Sequence, residues 1–142
     1  MLEQLASKQT LTLSIAKKIA TAAECVAIEN SWNVVVAIVD DGANLLYLQR
    51  MDGTQLGSID VAITKAISAI KYKRPTKAFE DSLVGGRQAV VTLPGVMPVS
   101  GGLPLVYDNE IVGAIGVSGV QPDQDAIIAQ AGVDILARIV GS

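Results

Sequence analysis

The chain has 142 residues and a mass of 14.8 kDa, with half of its residues apolar, 4% aromatic, and a net charge of −3. That length suits one domain spanning residues 1–142, large enough to bury a core without staples. The mild acidity, with no basic stripe, argues against nucleic acid as a partner. The single Cys25 rules out a disulfide within the chain, and the absence of histidine removes the commonest general base, metal ligand and haem ligand together.

Residues 1–10, MLEQLASKQT, carry Glu3 and Lys8 and no apolar segment of the signal-peptide kind, so a cytoplasmic location is expected. From Thr12 to Asn30 apolar residues (Ile15, Ile19, Ala22, Ala23, Val26) recur every three or four positions. This predicts a helix with Thr12 as its cap and Asn30 as its stop. Cys25 falls in this Ala-rich pattern and reads as a small buried hydrophobe rather than a reactive thiol. The run WNVVVAIVD is β-rich and almost wholly apolar, as for a central strand. Asp41-Gly42 and Asn44 then signal a hairpin, with LLYLQR returning as a second strand that ends at Arg50.

A helix is predicted over about Ser58–Tyr72, with Ile59, Ala62, Ile63, Ala66, Ile67 and Ile70 on its apolar face. Pro75 opens a shorter one, TKAFEDSLV, that Gly85-Gly86 ends. Residues 86–102 read as loop, with short strands at Ala89–Leu93 and Val96–Val99. Residues 88–107 carry no charge, but Pro94, Pro98 and Pro104 forbid a membrane helix there. LPLVY and EIVGAIGVSG form a second hairpin about Asp108-Asn109. A last helix runs from Pro122 to about Val140, with Asp123 and Asp125 at the positive end of its dipole. Gly132 inside it implies a close packing contact. Two hairpins make the sheet mostly antiparallel, so the fold class is α/β in the α+β sense, with both long terminal helices on one face.

Five features could carry chemistry. Arg50, in the segment RMDG that ends at Gly53, offers a bidentate fork for a carboxylate. Asp52 is either its internal partner or a proton carrier, and Met51 is a soft thioether that packs on a ligand or on the core. Lys65, near an apolar stripe, is either a desolvated base or a snorkelling side chain. Gly101 and Gly102 permit close backbone approach, as a pocket wall or a sharp turn would require. Gly113, Gly116 and Gly119 do not form a dinucleotide or phosphate-loop motif. Ser118-Gly119 instead leads into a helix N-terminus able to hold an anion, or is an ordinary turn. Acidic residues show no metal-ligand spacing, so no metal site is expected.

Four segments together carry a resemblance: IVDDGANLLYLQRMDG, SIDVAITKAISA with its following RPT, SGGLPLVYDNEIVGAIGVSG, and QDAI. Over residues 12–137 the chain resembles the GlcG/HbpS family, which also occurs as the C-terminal domain of PduO-type proteins. The resemblance implies a profilin-like fold: a central antiparallel sheet of about five strands with the terminal helices packed on it. It implies a homo-oligomer. It also implies a small-ligand pocket near Arg50–Gly53, Lys65, Gly101-Gly102 and Gly116–Gly119, with haem as the cofactor some members bind or degrade. Haem here would need a ligand other than histidine.

Three functions follow as expectations. The first is a binding protein for haem or another small anionic molecule, gripped by Arg50, Met51, Gly53, Gly101, Gly102, Gly116, Ser118 and Gly119. The second is a lyase or isomerase of a catabolic pathway, in which Arg50 orients an organic acid and Lys65 or Asp52 moves a proton. The third is a non-catalytic accessory subunit.

Overall fold

The computed structural model describes residues 1–141 and has the order α1 (Leu13–Glu29), β1 (Val35–Asp40), β2 (Leu45–Arg50), α2 (Gly57–Tyr72), α3 (Thr76–Val84), a 3-10 helix (Gln88–Thr92), β3 (Gly102–Tyr107), β4 (Glu110–Ser118) and α4 (Pro122–Ile139). The four strands form one antiparallel sheet in the order β2-β1-β4-β3. The α+β class stands, but with four strands rather than about five. Ala89–Leu93 falls largely in the 3-10 helix, and Val96–Val99 is not a strand. Pro94 and Pro98 cannot donate to a ladder, and Gly95 turns the backbone with φ 75°.

Both faces of the sheet are covered. Val34, Val36 and Ile38 join the core made with α1 and α4. Val35, Ala37 and Val39 point the other way, toward Ala62, Ala66 and Ala69 of α2. This alternation explains the unbroken apolar run: β1 lies between two helical layers, so neither set of side chains reaches water. Small residues set the spacing. Ala16, Ala20, Ala23 and Ala27 line the buried stripe of α1, and a methyl at Gly132 of α4 would lie 2.7 Å from Ile115 and 3.0 Å from Ile19. The packing contact expected at Gly132 is present.

The caps match the sequence signals. Thr12 Oγ1 accepts from the Ile15 N–H (3.2 Å), and Asn30 Nδ2 donates to the Val26 carbonyl (2.8 Å). Asp108 and Asn109 both take positive φ (52° and 63°), the twist a two-residue hairpin turn requires. In the first hairpin Asp40 Oδ1 accepts from Gly42 and Asn44 N–H. Cys25 is a correction: it is exposed, because it sits beside the stripe of Ala23 and Ala27 and not on it.

Candidate functional site

Two charged regions come from the residues the sequence singles out. The first is an open cleft of about 440 Å³ lined by Glu24, Asn33, Gln49, Arg50, Met51 and Asp52. It forms where β2 ends. Arg50 pairs with Val35 across the sheet, and the Met51 N–H then donates to the Val34 carbonyl (3.0 Å). Beyond it Thr54 folds back, its N–H and hydroxyl both donating to the Met51 carbonyl (3.2 and 2.7 Å). Gly53 takes φ 85° and passes close to the Asn33 side chain. This small turn holds Arg50 and Asp52 exposed and Met51 half-buried. Arg50 and Asp52 form no ion pair among the described residues. On the facing wall Gln49 Nε2 donates to Glu24 Oε2 (2.8 Å), tying β2 to α1.

The second region is buried. Lys65, 1% exposed, sits under α3 and the start of β3 and does not line the cleft. Its ammonium donates to Asp125 Oδ2 (3.0 Å) and to the Val117 carbonyl (2.9 Å), while the other carboxylate oxygen of Asp125 accepts from the Val120 N–H (3.1 Å). Burial, the largest influence, pushes the Lys65 ammonium below its ordinary value and the Asp125 carboxyl above its own; each partner's charge acts against that shift. Lys65 is therefore desolvated, and it does not snorkel. The sequence reading did not pair it with Asp125, sixty positions away. The one available signal was the need for a counter-charge on any lysine set into an apolar helix face.

The glycines are placed as follows. A methyl at Gly116 would run into the Ala62 carbonyl of α2, and one at Gly102 into the Lys65 carbonyl and Thr76. Gly101 (φ 127°) lies against Lys65 Nζ and the Val117 carbonyl. Gly119 (φ 153°) lies against Asn33 and Val34, and Ser118 is buried at the end of β4 opposite Val35. Close approach is what these positions provide, and the chain itself fills the space: the backbone of α2 at Gly102 and Gly116, the Val117 carbonyl and the Lys65 and Asp125 side chains at Gly101, and Asn33 and Val34 at Gly119. The N-terminus of α4 has its own side chains as acceptors: Asp125 for the Val120 N–H and Gln124 for the Gln121 N–H (3.2 Å). The structure thus groups Arg50, Met51, Asp52 and Gly53 at the cleft, and Lys65, Gly101 and Gly102 around the buried pair. It does not join the two groups. A second surface depression, of about 480 Å³, includes Lys8, Asp41, Lys73 and Glu110 and contains none of the sequence-derived candidates. Among the described residues there is no cluster of metal-ligating side chains, and no helix is long and apolar enough to cross a membrane.

The model for the haem degrading protein HbpS-like family matches residues 11–134. The chain belongs to the HbpS-like family. Protein GlcG of Escherichia coli K12 is 38% identical over 112 residues, covering 79% of this chain and 84% of GlcG. An uncharacterized 15.0 kDa protein in the dhaT-dhaS intergenic region of Citrobacter freundii is 33% identical over 134 residues, 92% of this chain and 94% of that one. Among solved structures, Klebsiella pneumoniae protein ORFY superposes with a TM-score of 0.89 at 31% identity over 99% of both chains. A Streptomyces reticuli HbpS double mutant gives 0.86 at 34% identity over 93% of this chain and 90% of that one. A PduOC:heme complex gives 0.79 at 28% identity, over 88% of this chain and 94% of that one. The HbpS-like fold therefore extends through the cleft, the buried pair and both hairpins.

Proposed function

We propose that this HbpS-like protein binds a small, carboxylate-bearing organic ligand at the Arg50–Asp52 cleft, acting as a homo-oligomeric binding protein. The observation that carries the reading is the turn after β2. It leaves Arg50 exposed and, among the described residues, free of an ion pair at a cleft that Met51 also lines. A planar guanidinium pairs with a carboxylate through two parallel hydrogen bonds. The chain-length match to a PduOC:heme complex supports haem as the ligand to test first.

Haem fits the cleft in part. Arg50 suits a propionate and Met51 is the one soft ligand among the lining residues. The remaining lining residues (Glu24, Asn33, Gln49, Asp52) are polar and supply no apolar wall for a porphyrin face. Hemin titration followed at the Soret band tests the reading, with native mass spectrometry reporting the subunit number. A saturable shift that Arg50→Ala weakens at least about tenfold, the scale of one charge-assisted hydrogen-bond pair, is expected. Weak, unsaturable absorbance that is equal in both proteins would remove haem as the ligand.

A further inference from the structure

Helix α1 carries one stripe beside its buried alanines that nothing in the chain covers. Leu13, Lys17, Thr21, Glu24 and Ile28 recur every three or four positions along it. Leu13 and Ile28 are 46% and 60% exposed, and Lys17 and Thr21 are exposed as well. Among the described residues neither Lys17 nor Glu24 joins an ion pair. Glu24 shows where the stripe points: its Oε2 accepts from Gln49 of β2, an edge strand of the sheet. That edge is open. It holds no Pro, Gly or Lys, and it pairs regularly with β1 from Tyr47 to Arg50. The opposite edge, β3, carries Gly102, Pro104 and a register shift between Leu105 and Val106, the features that keep an edge from pairing.

The stripe is complementary to itself in reverse. Laid antiparallel on a copy about the midpoint between Ala20 and Thr21, it sets Leu13 opposite Ile28 and Lys17 opposite Glu24. Laid parallel, it sets like charges together. We propose that a second copy of this chain docks on this face across a two-fold axis, α1 against α1 with the two β2 edges side by side beneath. The spacing agrees. Helix α1 packs on β1 and β2 alike, so it stands about one strand spacing, ~4.8 Å, from an axis at the outer edge of β2. Two copies of α1 then lie ~10 Å apart, close to the interaxial distance of packed helices. The level agrees too. Helix α1 and β2 run the same way, because each is antiparallel to β1: Trp32 N–H still bonds Ala27 as α1 turns into β1, and Arg50 pairs with Val35. The midpoint of the stripe is about 5 Å behind Glu24 at the helical rise, which is one to two strand residues behind Gln49. That level is Tyr47–Leu48, the middle of β2. One axis therefore serves helix and strand together. The interface rests on the homo-oligomeric part of the function proposed above and names its face; it does not depend on the ligand at Arg50.

The test is sedimentation equilibrium of the purified chain without hemin. Lys17→Glu and Glu24→Lys each turn two attractive contacts across the axis into two repulsive ones, so each variant alone should dissociate at least about tenfold more readily than the parent. An equimolar mixture of the two restores opposite charges at both contacts and should form a mixed dimer about as tight as the parent's. Position is read independently by oxidation: Thr21→Cys/Cys25→Ser, with its thiols near the axis, should cross-link between copies far faster than Ala137→Cys/Cys25→Ser, whose thiol is on the exposed face of α4. Single variants that associate as the parent does, or a mixture no tighter than either variant alone, would overturn the interface while leaving a homo-oligomer in place. So would equal cross-linking at the two positions. A parent that stays monomeric at every concentration overturns the interface and the homo-oligomeric reading together.

Discussion

The cleft at Arg50 and the cluster at Lys65 use the same kinds of group under opposite conditions. Arg50 and Asp52 stand in water, where an ion pair is worth little and a charge waits for a ligand. Lys65 and Asp125 are 1% and 2% exposed, where each charge requires the other and the backbone atoms around it. Charge that is free to act on a ligand therefore sits at the end of edge strand β2. Charge that organises the fold joins α2, the end of β4 and the first turn of α4. Breaking the buried pair should affect folding far more than binding, and breaking the cleft should do the reverse.

The largest expected effect follows from removing one member of the buried pair. Lys65→Met leaves the Asp125 carboxylate without its cation and should cost about 3–5 kcal/mol in urea unfolding. Adding Asp125→Asn, which keeps an oxygen for the Val120 N–H, should recover most of that loss. Equal stabilities of the single and double variants would mean that the pair is not the determinant.

The close approach of α2 to the sheet comes next. Gly116→Ala places a methyl against the Ala62 carbonyl and the Ala66 N–H, both backbone, so no side chain can yield. A loss of about 1–3 kcal/mol is expected, with no change in hemin titration beyond that explained by stability. Gly57→Ala, with open space around it, is the control and should be near neutral.

The pH dependence sharpens the same contrast. Lys65 is lowered from 10.5, so the folded chain holds fewer protons on this group than the unfolded chain does as pH approaches 10.5, and its contribution to stability rises with pH there. Asp125 is raised from 3.8, so its contribution falls as pH climbs from 3.8 through the raised value. The stability of the parent minus that of Lys65→Met/Asp125→Asn should therefore be lowest in the middle of the range and rise toward both limits. The surface pair Lys8–Asp41 shifts the opposite way, Lys8 up and Asp41 down, each chiefly through their mutual hydrogen bond. A difference curve that is flat between pH 3.8 and 10.5 would contradict this account of the buried pair.

Which of these features the sequence discloses depends on whether a local rule governs them. Thr12, Asn30, Asp108-Asn109 and Pro122 act on atoms within a few residues, so the helix ends and the second hairpin were legible. Gly132 was legible because a glycine inside a helix needs a packing reason. The segment between α3 and β3 was misread in part as strands, since apolar content alone does not reveal that Pro94, Gly95 and Pro98 leave no ladder to join. Cys25 was misassigned because one position of helical phase separates the buried stripe from solvent. The Lys65–Asp125 pair joins residues sixty apart, and only the docking of α2 and α4 on one end of the sheet creates it. The glycine pattern disclosed close approach correctly but not what approaches, and in the folded chain that is the chain's own α2 backbone at Gly102 and Gly116, and β4, Lys65, Asp125 or the residues before β1 at Gly101 and Gly119.

The smallest expected effect on folding belongs to Arg50, and for that reason it is the most informative about function. Its side chain is exposed and joins no ion pair among the described residues, so Arg50→Ala should change unfolding stability by no more than about 0.5 kcal/mol. Arg50→Lys keeps the charge but loses the planar fork, and should recover only part of any lost affinity if the ligand carboxylate is held through two hydrogen bonds. Full recovery by lysine would reduce the role of Arg50 to a general positive potential, and the affinity should then fall steeply with salt. A stable Arg50→Ala protein that binds hemin as well as its parent does would move the ligand away from this cleft altogether. The exposed charge would then be idle, and the division between a charge that folds the chain and a charge that serves it would fail at its second half.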